Sequence, residues 1–469
     1  LALSCGATAG AAPPPARPPV PPAAPSTVHL ETVSHGRFSD FTLYYPERGT
    51  PTRVVLVLSG ESGWDATGTS IATLLAAQGA LVAGIDVKEI ESSFAADGGC
   101  AFLDGDLENL SHFVQAYRHL PSYLPPLLVG YGAGATLAYA VLVQAPAHTF
   151  AGALTLGFCA GTSWRVPLCP GSGLHMSPRA HSPGLLVQAT PSLSDPWVSI
   201  EGAHEACAER DIVASVHGAA RAALPVPQLD QAPEAAWGDP LRAAFENLAN
   251  RPAGELGTPP PELGDLPVIE VSAQHASGAA SNDFAILISG DGGWAGLDKQ
   301  VAQALAAAGV PTVGLDSLRY FWSARTPEGL ARDLDRMIRY YVAALGKQRV
   351  LLIGYSQGAN VLPFAVNRLP AATRARIALT ALLGLSEHAL FEFHMSSWLA
   401  ESTSGPSTVA EIAHMSAATV LCIYGEDESD SPCSKLDPRR IEIVKLSGGH
   451  HFNGDYADLA ATILKAAPP

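Results

Sequence analysis

A run of apolar residues closing on Ser-Gly, an acid, a small residue and Gly-Trp occurs twice in this chain. The first copy is Val54-Val55-Leu56-Val57-Leu58-Ser59-Gly60-Glu61-Ser62-Gly63-Trp64; the second is Ala285 to Trp294. Gly60 and Gly290 stand 230 residues apart, and the same offset carries through the next unit. Ile71 to Ile85 reads as a helix and then a strand ending at Asp86, and Val301 to Leu315 reads the same, ending at Asp316. Farther on, Leu127 to Gly134 matches Leu351 to Gly358. A match this long predicts two copies of one domain. Within each copy strand-like and helix-like patterns alternate. That predicts a mostly parallel sheet covered by helices on both faces.

The second copy carries a chemical signature. Val350-Leu351-Leu352-Ile353 reads as a buried strand, Gly354-Tyr355-Ser356-Gln357-Gly358 as a tight turn, and Ala359 onward as a helix. A serine flanked by glycines between strand and helix is a nucleophile elbow. The glycines are needed because side chains there would collide with neighbouring backbone. The fold expected is therefore two tandem α/β-hydrolase-like domains, with Ser356 as nucleophile. Serine needs a base and an acid, which follow it in the order acid, then histidine. The strand Val420 to Tyr424 ends in Gly425-Glu426-Asp427-Glu428, and Asp427 is the expected acid, with Glu428 and Asp430 as rivals. The strand Ile441 to Leu446 ends in Gly448-Gly449-His450-His451-Phe452, making His450 the expected base and His451 the reserve. The backbone N–H groups of Gln357 and Asp291 are the expected oxyanion donors. No Gly-Lys-Ser/Thr follows the Gly290 loop, so it is not a phosphate-binding P-loop.

The first copy keeps the elbow glycines and lacks the chemistry. Gly132 stands where Ser356 stands, and His204 opposite Asp427. Val216-His217-Gly218 is a poor substitute for the base loop. The expected division is a signal remnant and Pro/Ala-rich linker over 1–27, and a degenerate domain over 28–224. A linker with a short helix near Leu241 to Leu248 follows over 225–266, and the catalytic domain spans 267–469. Gly329 to Tyr341 reads as an amphipathic helix with a core-packing stripe. Ala389 to Leu399 lies where pocket or lid elements are often inserted.

Formal charge is −16 and only 15% of residues are charged. Such a balance repels nucleic acid and anionic lipid and suits a cationic substrate group. The start, with Ala7-Thr8-Ala9 after Leu1-Ala2-Leu3, resembles the end of a cleaved signal peptide; lipid attachment at Cys5 is the weaker alternative. No apolar run reaches the ~18 residues of a membrane span. An exported, periplasmic protein is expected, and in that setting the seven cysteines are expected to pair. Cys422 and Cys433 flank the acid loop, Cys159 and Cys169 bracket another, and Cys100 and Cys207 remain. No Cys-x-x-Cys or His-Glu-x-x-His occurs, so no metal and no cofactor is expected.

The combination Ser289 to Trp294, Asp316 to Trp322, Gly354 to Asn360, Phe391-Glu392-Phe393-His394 and Gly448 to Phe452 resembles the VirJ family of bacterial virulence proteins. The doubled arrangement with a degenerate first copy resembles the longer, AcvB-type members. The resemblance implies a periplasmic hydrolase that cleaves the aminoacyl ester of lysyl-phosphatidylglycerol, with transient contact to the membrane surface and secretion-system proteins as possible partners. For that substrate, carboxylates near the pocket suit the lysyl ammonium groups. Asp291, Glu392, Glu428 and Asp430 are the candidates, with Arg319 for the lipid phosphate. A carboxylesterase or thioesterase of other substrate, and a non-enzymatic periplasmic adaptor, are the alternative functions.

Overall fold

The computed structural model describes residues 27–93, 99–179, 183–202, 212–224, 233–249, 260–273, 282–294, 296–392, 405–415 and 419–468. The leader with Cys5, the loop with Cys207 and His204, and Phe393-His394 lie outside them.

The first domain is built on β1 (Val28–His35), β2 (Phe38–Pro46), β3 (Arg53–Leu58), β4 (Ala80–Ile85), β5 (Leu127–Tyr131), β6 (Gly152–Leu156), β7 (Ser192–Gly202) and β8 (His217–Leu224). The second uses β9 (Val268–Val271), β10 (Asp283–Ile288), β11 (Thr312–Leu315), β12 (Arg349–Tyr355), β13 (Ile377–Leu383), β14 (Thr419–Gly425) and β15 (Glu442–Leu446). The sheet orders are β1-β2-β4-β3-β5-β6-β7-β8 and β9-β11-β10-β12-β13-β14-β15. From β2 onward the two orders are the same, strand for strand. In each, one edge is antiparallel (β2 on β4, β9 on β11) and the strands beyond run parallel. These are two α/β-hydrolase-like domains; β1 is an addition to the first.

The central strands are continuous apolar runs because both faces are covered. Alternate residues of β10 divide between two cores. Phe284, Ile286 and Ile288 join one, and Ala285 and Leu287 join the other. β3 divides the same way, with Val54, Leu56 and Leu58 on one face and Val55 and Val57 on the other. The repeated Gly-Trp has a packing reason. Trp64 lies over Gly84 of β4 and Trp294 over Gly314 of β11, where any Cβ would overlap the indole.

The amphipathic stripe beyond β11 forms the helix Pro327–Leu345, which buries Leu330, Leu334, Met337, Ile338 and Tyr341. Thr326 caps its N-terminus by accepting from the Gly329 N–H, and Gly346 ends it in the left-handed conformation at φ 64°. The short helix expected near Leu241 is longer, Glu234–Ala249, and it belongs to the first core. Trp237, Leu241, Phe245 and Leu248 are buried there against Ile71, Leu74 and Leu75. The final helix Tyr456–Ala466 does the same work in the second domain.

Among the described residues two disulfides have both partners, Cys100–Cys169 and Cys422–Cys433. The second staples the acid loop as its flanking position suggests. The first corrects the Cys159–Cys169 expectation. Cys169 is brought to Cys100 because the Ala101 N–H donates to Pro167 O and the Cys169 N–H to Ala101 O, laying the two segments side by side. Cys159 is also disulfide-bonded.

Candidate active site

Ser356 follows β12 at φ 51°, ψ −115°, a conformation L residues rarely adopt. Two glycines make it possible. A Cβ on Gly354 would lie 2.5 Å from the Gly358 carbonyl, and one on Gly358 would overlap Ile288 of β10. The Ser356 N–H donates to Leu383 O at 2.9 Å, holding the turn over the sheet edge. The helix Gln357–Arg368 starts at the next residue, so the Gln357 N–H has no intrahelical acceptor by position. The Gly290 loop closes in from the other side, where a Cβ on Gly290 would lie 3.5 Å from the Ser356 Cβ. That places Asp291 beside the nucleophile.

The loop is braced from behind. The Ser317 N–H donates to Ser289 Oγ at 2.9 Å, and the Ser317 hydroxyl donates to Ser289 O at 2.6 Å. Burial pushes the Asp291 carboxyl above its ordinary range, and the charge of nearby His450 works against that shift.

His450 reaches the site from the loop after β15. Its ring packs against Tyr355, the residue before the nucleophile, with centroids 5.2 Å apart. Gly384 makes room, since a Cβ there would lie 2.6 Å from Cε1 of His450. His450 Nδ1 meets Glu428 Oε1 at 2.7 Å. An ionised carboxylate only accepts, so Nδ1 carries the proton and Nε2 is left as the basic nitrogen. Burial raises the Glu428 carboxyl, but the bonds from His450 and from the Gly425 N–H outweigh it and leave the group below its ordinary value. Among the described residues no hydrogen bond joins the Ser356 hydroxyl to His450; contacts of this kind tighten in the reacting complex.

The acid facing His450 is therefore Glu428 and not Asp427. The Glu428 N–H donates to Gly425 O, a tight turn that brings residue 428 back under the strand end. From there the longer side chain spans Gly425 N at 2.7 Å and His450. Asp427 is pinned by its own N–H to Gly448 O, and it and Asp430 are exposed. The Gly-x-Asp pattern marks this loop, and the Gly425–Glu428 turn, which leaves no sequence pattern of its own, sets Glu428 rather than Asp427 against His450. His451 sits beyond the base, with Nδ1 at 3.1 Å from the Tyr355 hydroxyl. Arg319 is ion-paired with buried Asp316 at 3.3 Å, at a crevice shared with the first domain's Glu108, Tyr123 and His148. Glu392 is half-buried at the last position before residues 393–404, which lie outside the described set. Phe391 packs on Phe321 and Phe364.

In the first domain Gly132 holds φ 55°, ψ −124°, the geometry of Ser356. A Cβ there would lie 2.7 Å from Glu61 Oε2, so the carboxylate in the Asp291 position fills the space of a nucleophile. His217 opens β8 instead of following it, so it is not placed as a base.

Residues 282–468 match the family described as bacterial virulence protein (VirJ). No curated protein matches the chain. Among solved structures, an α/β serine hydrolase without lid from Xanthomonas campestris is similar at 16% identity, over 43% of this chain and 89% of its own, with TM-score 0.29. Est1E from Butyrivibrio proteoclasticus is similar at 13% identity, over 42% and 91%, with TM-score 0.32. Naproxen esterase from Bacillus subtilis is similar at 14% identity, over 42% and 86%, with TM-score 0.29.

Proposed function

We propose that this chain, whose residues 282–468 form a domain of the VirJ family of bacterial virulence proteins, is a serine hydrolase that cleaves the aminoacyl ester of lysyl-phosphatidylglycerol. The observation that carries the hydrolase reading is the Glu428–His450 pair packed beside the strained Ser356. In this mechanism Ser356 Oγ attacks the lysyl carbonyl carbon while His450 Nε2 takes the hydroxyl proton. The Gln357 and Asp291 N–H groups hold the oxyanion. Collapse breaks the bond to the glycerol oxygen, which leaves with the proton from His450 as phosphatidylglycerol. Water then attacks the lysyl-serine ester, giving its proton to His450, and lysine and free Ser356 are released. Glu428 orients His450 and stabilises its charged form.

The substrate assignment is favoured by charge. A lysyl ester carries two ammonium groups, and Asp291 presents a carboxyl at the reacting centre within electrostatic reach of His450. Its high proton affinity would be lowered by an incoming cation, turning desolvation into attraction. Export to the periplasm fits the disulfides and the absence, among the described residues, of any helix long and apolar enough to cross a membrane. Contact with the membrane surface would then be transient.

The test is lysine release from vesicles containing lysyl-phosphatidylglycerol, by wild type and Ser356→Ala, with alanyl-phosphatidylglycerol in parallel. A loss of about 10³-fold or more in the variant is expected. Equal rates would remove the catalytic assignment, and a preference for the alanyl lipid would remove the substrate.

A further inference from the structure

Trp322 closes the aromatic run Tyr320-Phe321-Trp322, which the repeat does not carry into the first domain. At the 230-residue offset the first domain has Ser92 in its place, so the common fold does not require an indole there. Trp322 instead crosses to the first domain. Its Nε1–H donates to Leu120 O at 2.7 Å, and its ring packs against Tyr123 with centroids 5.5 Å apart. Both partners lie in the turn after the first-domain helix Leu103–Tyr117.

Trp322 closes the segment Asp316 to Trp322, and that same segment braces the oxyanion loop. Ser317 makes two hydrogen bonds to Ser289. Gly293 is wedged against it, since a Cβ there would lie 3.0 Å from Asp316 Oδ1 and 3.2 Å from the Leu318 Cβ. Gly293, Asp316 and Leu318 line one wall of a narrow interdomain crevice, and Tyr123 and Glu108 line the other. Lys299, on the helix after the loop, is within electrostatic reach of first-domain Asp195 and Glu108.

We infer that the degenerate first domain is a positioning element for the second domain's oxyanion loop, acting through Tyr123, Leu120 and Trp322. Trp322 is a positioning residue: it touches no reacting atom and sets the loop that carries the Asp291 N–H. Oxyanion donors act in the transition state more than in the ground state. Loosening the brace therefore lowers kcat and spares KM. The inference rests on Ser356 being the nucleophile.

The experiment uses the full chain and a soluble ester, 4-nitrophenyl acetate, with fluorophosphonate labelling of Ser356 as a second readout. Trp322→Ala and Tyr123→Ala are each expected to lower kcat about tenfold or more with KM within about twofold, and to slow labelling in step. The double variant is expected to be no slower than the worse single one, because both cut the same link. Trp322→Phe keeps the ring and lacks the N–H donor; it is expected to fall between, and it guards against a variant that fails to fold. Leu30→Ser, at an exposed site on the first domain, is expected to leave kcat unchanged. Wild-type rates in folded Tyr123→Ala and Trp322→Phe would overturn the inference while leaving the hydrolase intact. Equal losses in kcat/KM arising from KM alone would do the same. If wild-type Ser356 neither turns over the ester nor takes the label, the hydrolase reading fails and the inference falls with it.

Discussion

The two elbows differ by a few degrees of backbone and at two residues, Gly132 for Ser356 and Ala133 for Gln357. Gly132 and Ser356 share φ near 50° and ψ near −120°, and both turns are clamped by glycines that no larger residue could replace. The backbone shape is thus a property of the strand–turn–helix packing, and it survives without a nucleophile. The strain is not shared. Glycine occupies this region freely, whereas a serine there costs roughly 1–3 kcal/mol. The second domain bears that cost where a hydroxyl is presented, and the first has shed both the cost and the hydroxyl. Glu61 then occupies the vacated space.

The comparison can be broken most severely at the acid. Glu428→Gln is expected to lower activity by about 10²–10⁴-fold, because the amide disfavours the tautomer that leaves Nε2 basic. Asp427→Asn should stay within about twofold, and a reversed ranking in steady-state kinetics would restore Asp427 as the acid. Glu428 also links to stability. Its carboxyl is held below the ordinary value, so its contribution is present at neutral pH and is lost as pH falls below about 4.5.

Next in size are the clamps. Gly354→Ala and Gly130→Ala each drive a methyl into the helix backbone and should each destabilise by about 2–4 kcal/mol. Thermal melts of the pair should show similar losses. A harmless Gly130→Ala would mean that the first elbow is not held by the same packing.

A smaller effect lies at the interdomain crevice. Burial pushes the Glu108 carboxyl up to about 8, against an ordinary value of 4.5. Between those values the folded protein keeps a proton that the unfolded chain has lost, so stability falls as pH rises across the window. Glu108→Gln should flatten that slope, read as melting temperature at pH 5 and pH 8. The smallest expected effect is none. Gly132→Ser in a Ser356→Ala background should yield no ester hydrolysis, since Glu61 crowds the new side chain and no base follows β8; measurable turnover would show the first site to be only one step from function.

Much of this was legible in the residues, because steric demands leave a mark on the chain. The elbow needs its glycines, and buried parallel strands need unbroken apolar runs. The stripe of the helix Pro327–Leu345 was readable for the same reason. What escaped depends on which way short loops turn. Asp427 and Glu428 are adjacent carboxyl residues, and the turn closed by the Glu428 N–H to Gly425 O bond decides which one faces His450. The Cys100–Cys169 pairing depends on two distant loops lying side by side, a relation without local periodicity. The pairing of Arg319 with Asp316, three residues earlier, likewise depends on the short turn that joins them.

The staple between Cys422 and Cys433 bears on endurance. It closes an eleven-residue span around the loop that carries Glu428, with Cα atoms 5.7 Å apart. By loop-closure entropy a ring of that size disfavours the melted loop by roughly 3 kcal/mol. The nucleophile is secured by the sheet and needs no such help. In a thiol-rich medium the chain therefore keeps its serine in place and holds its acid loosely, so that the proton-transfer apparatus would wear out before the hydroxyl that depends on it.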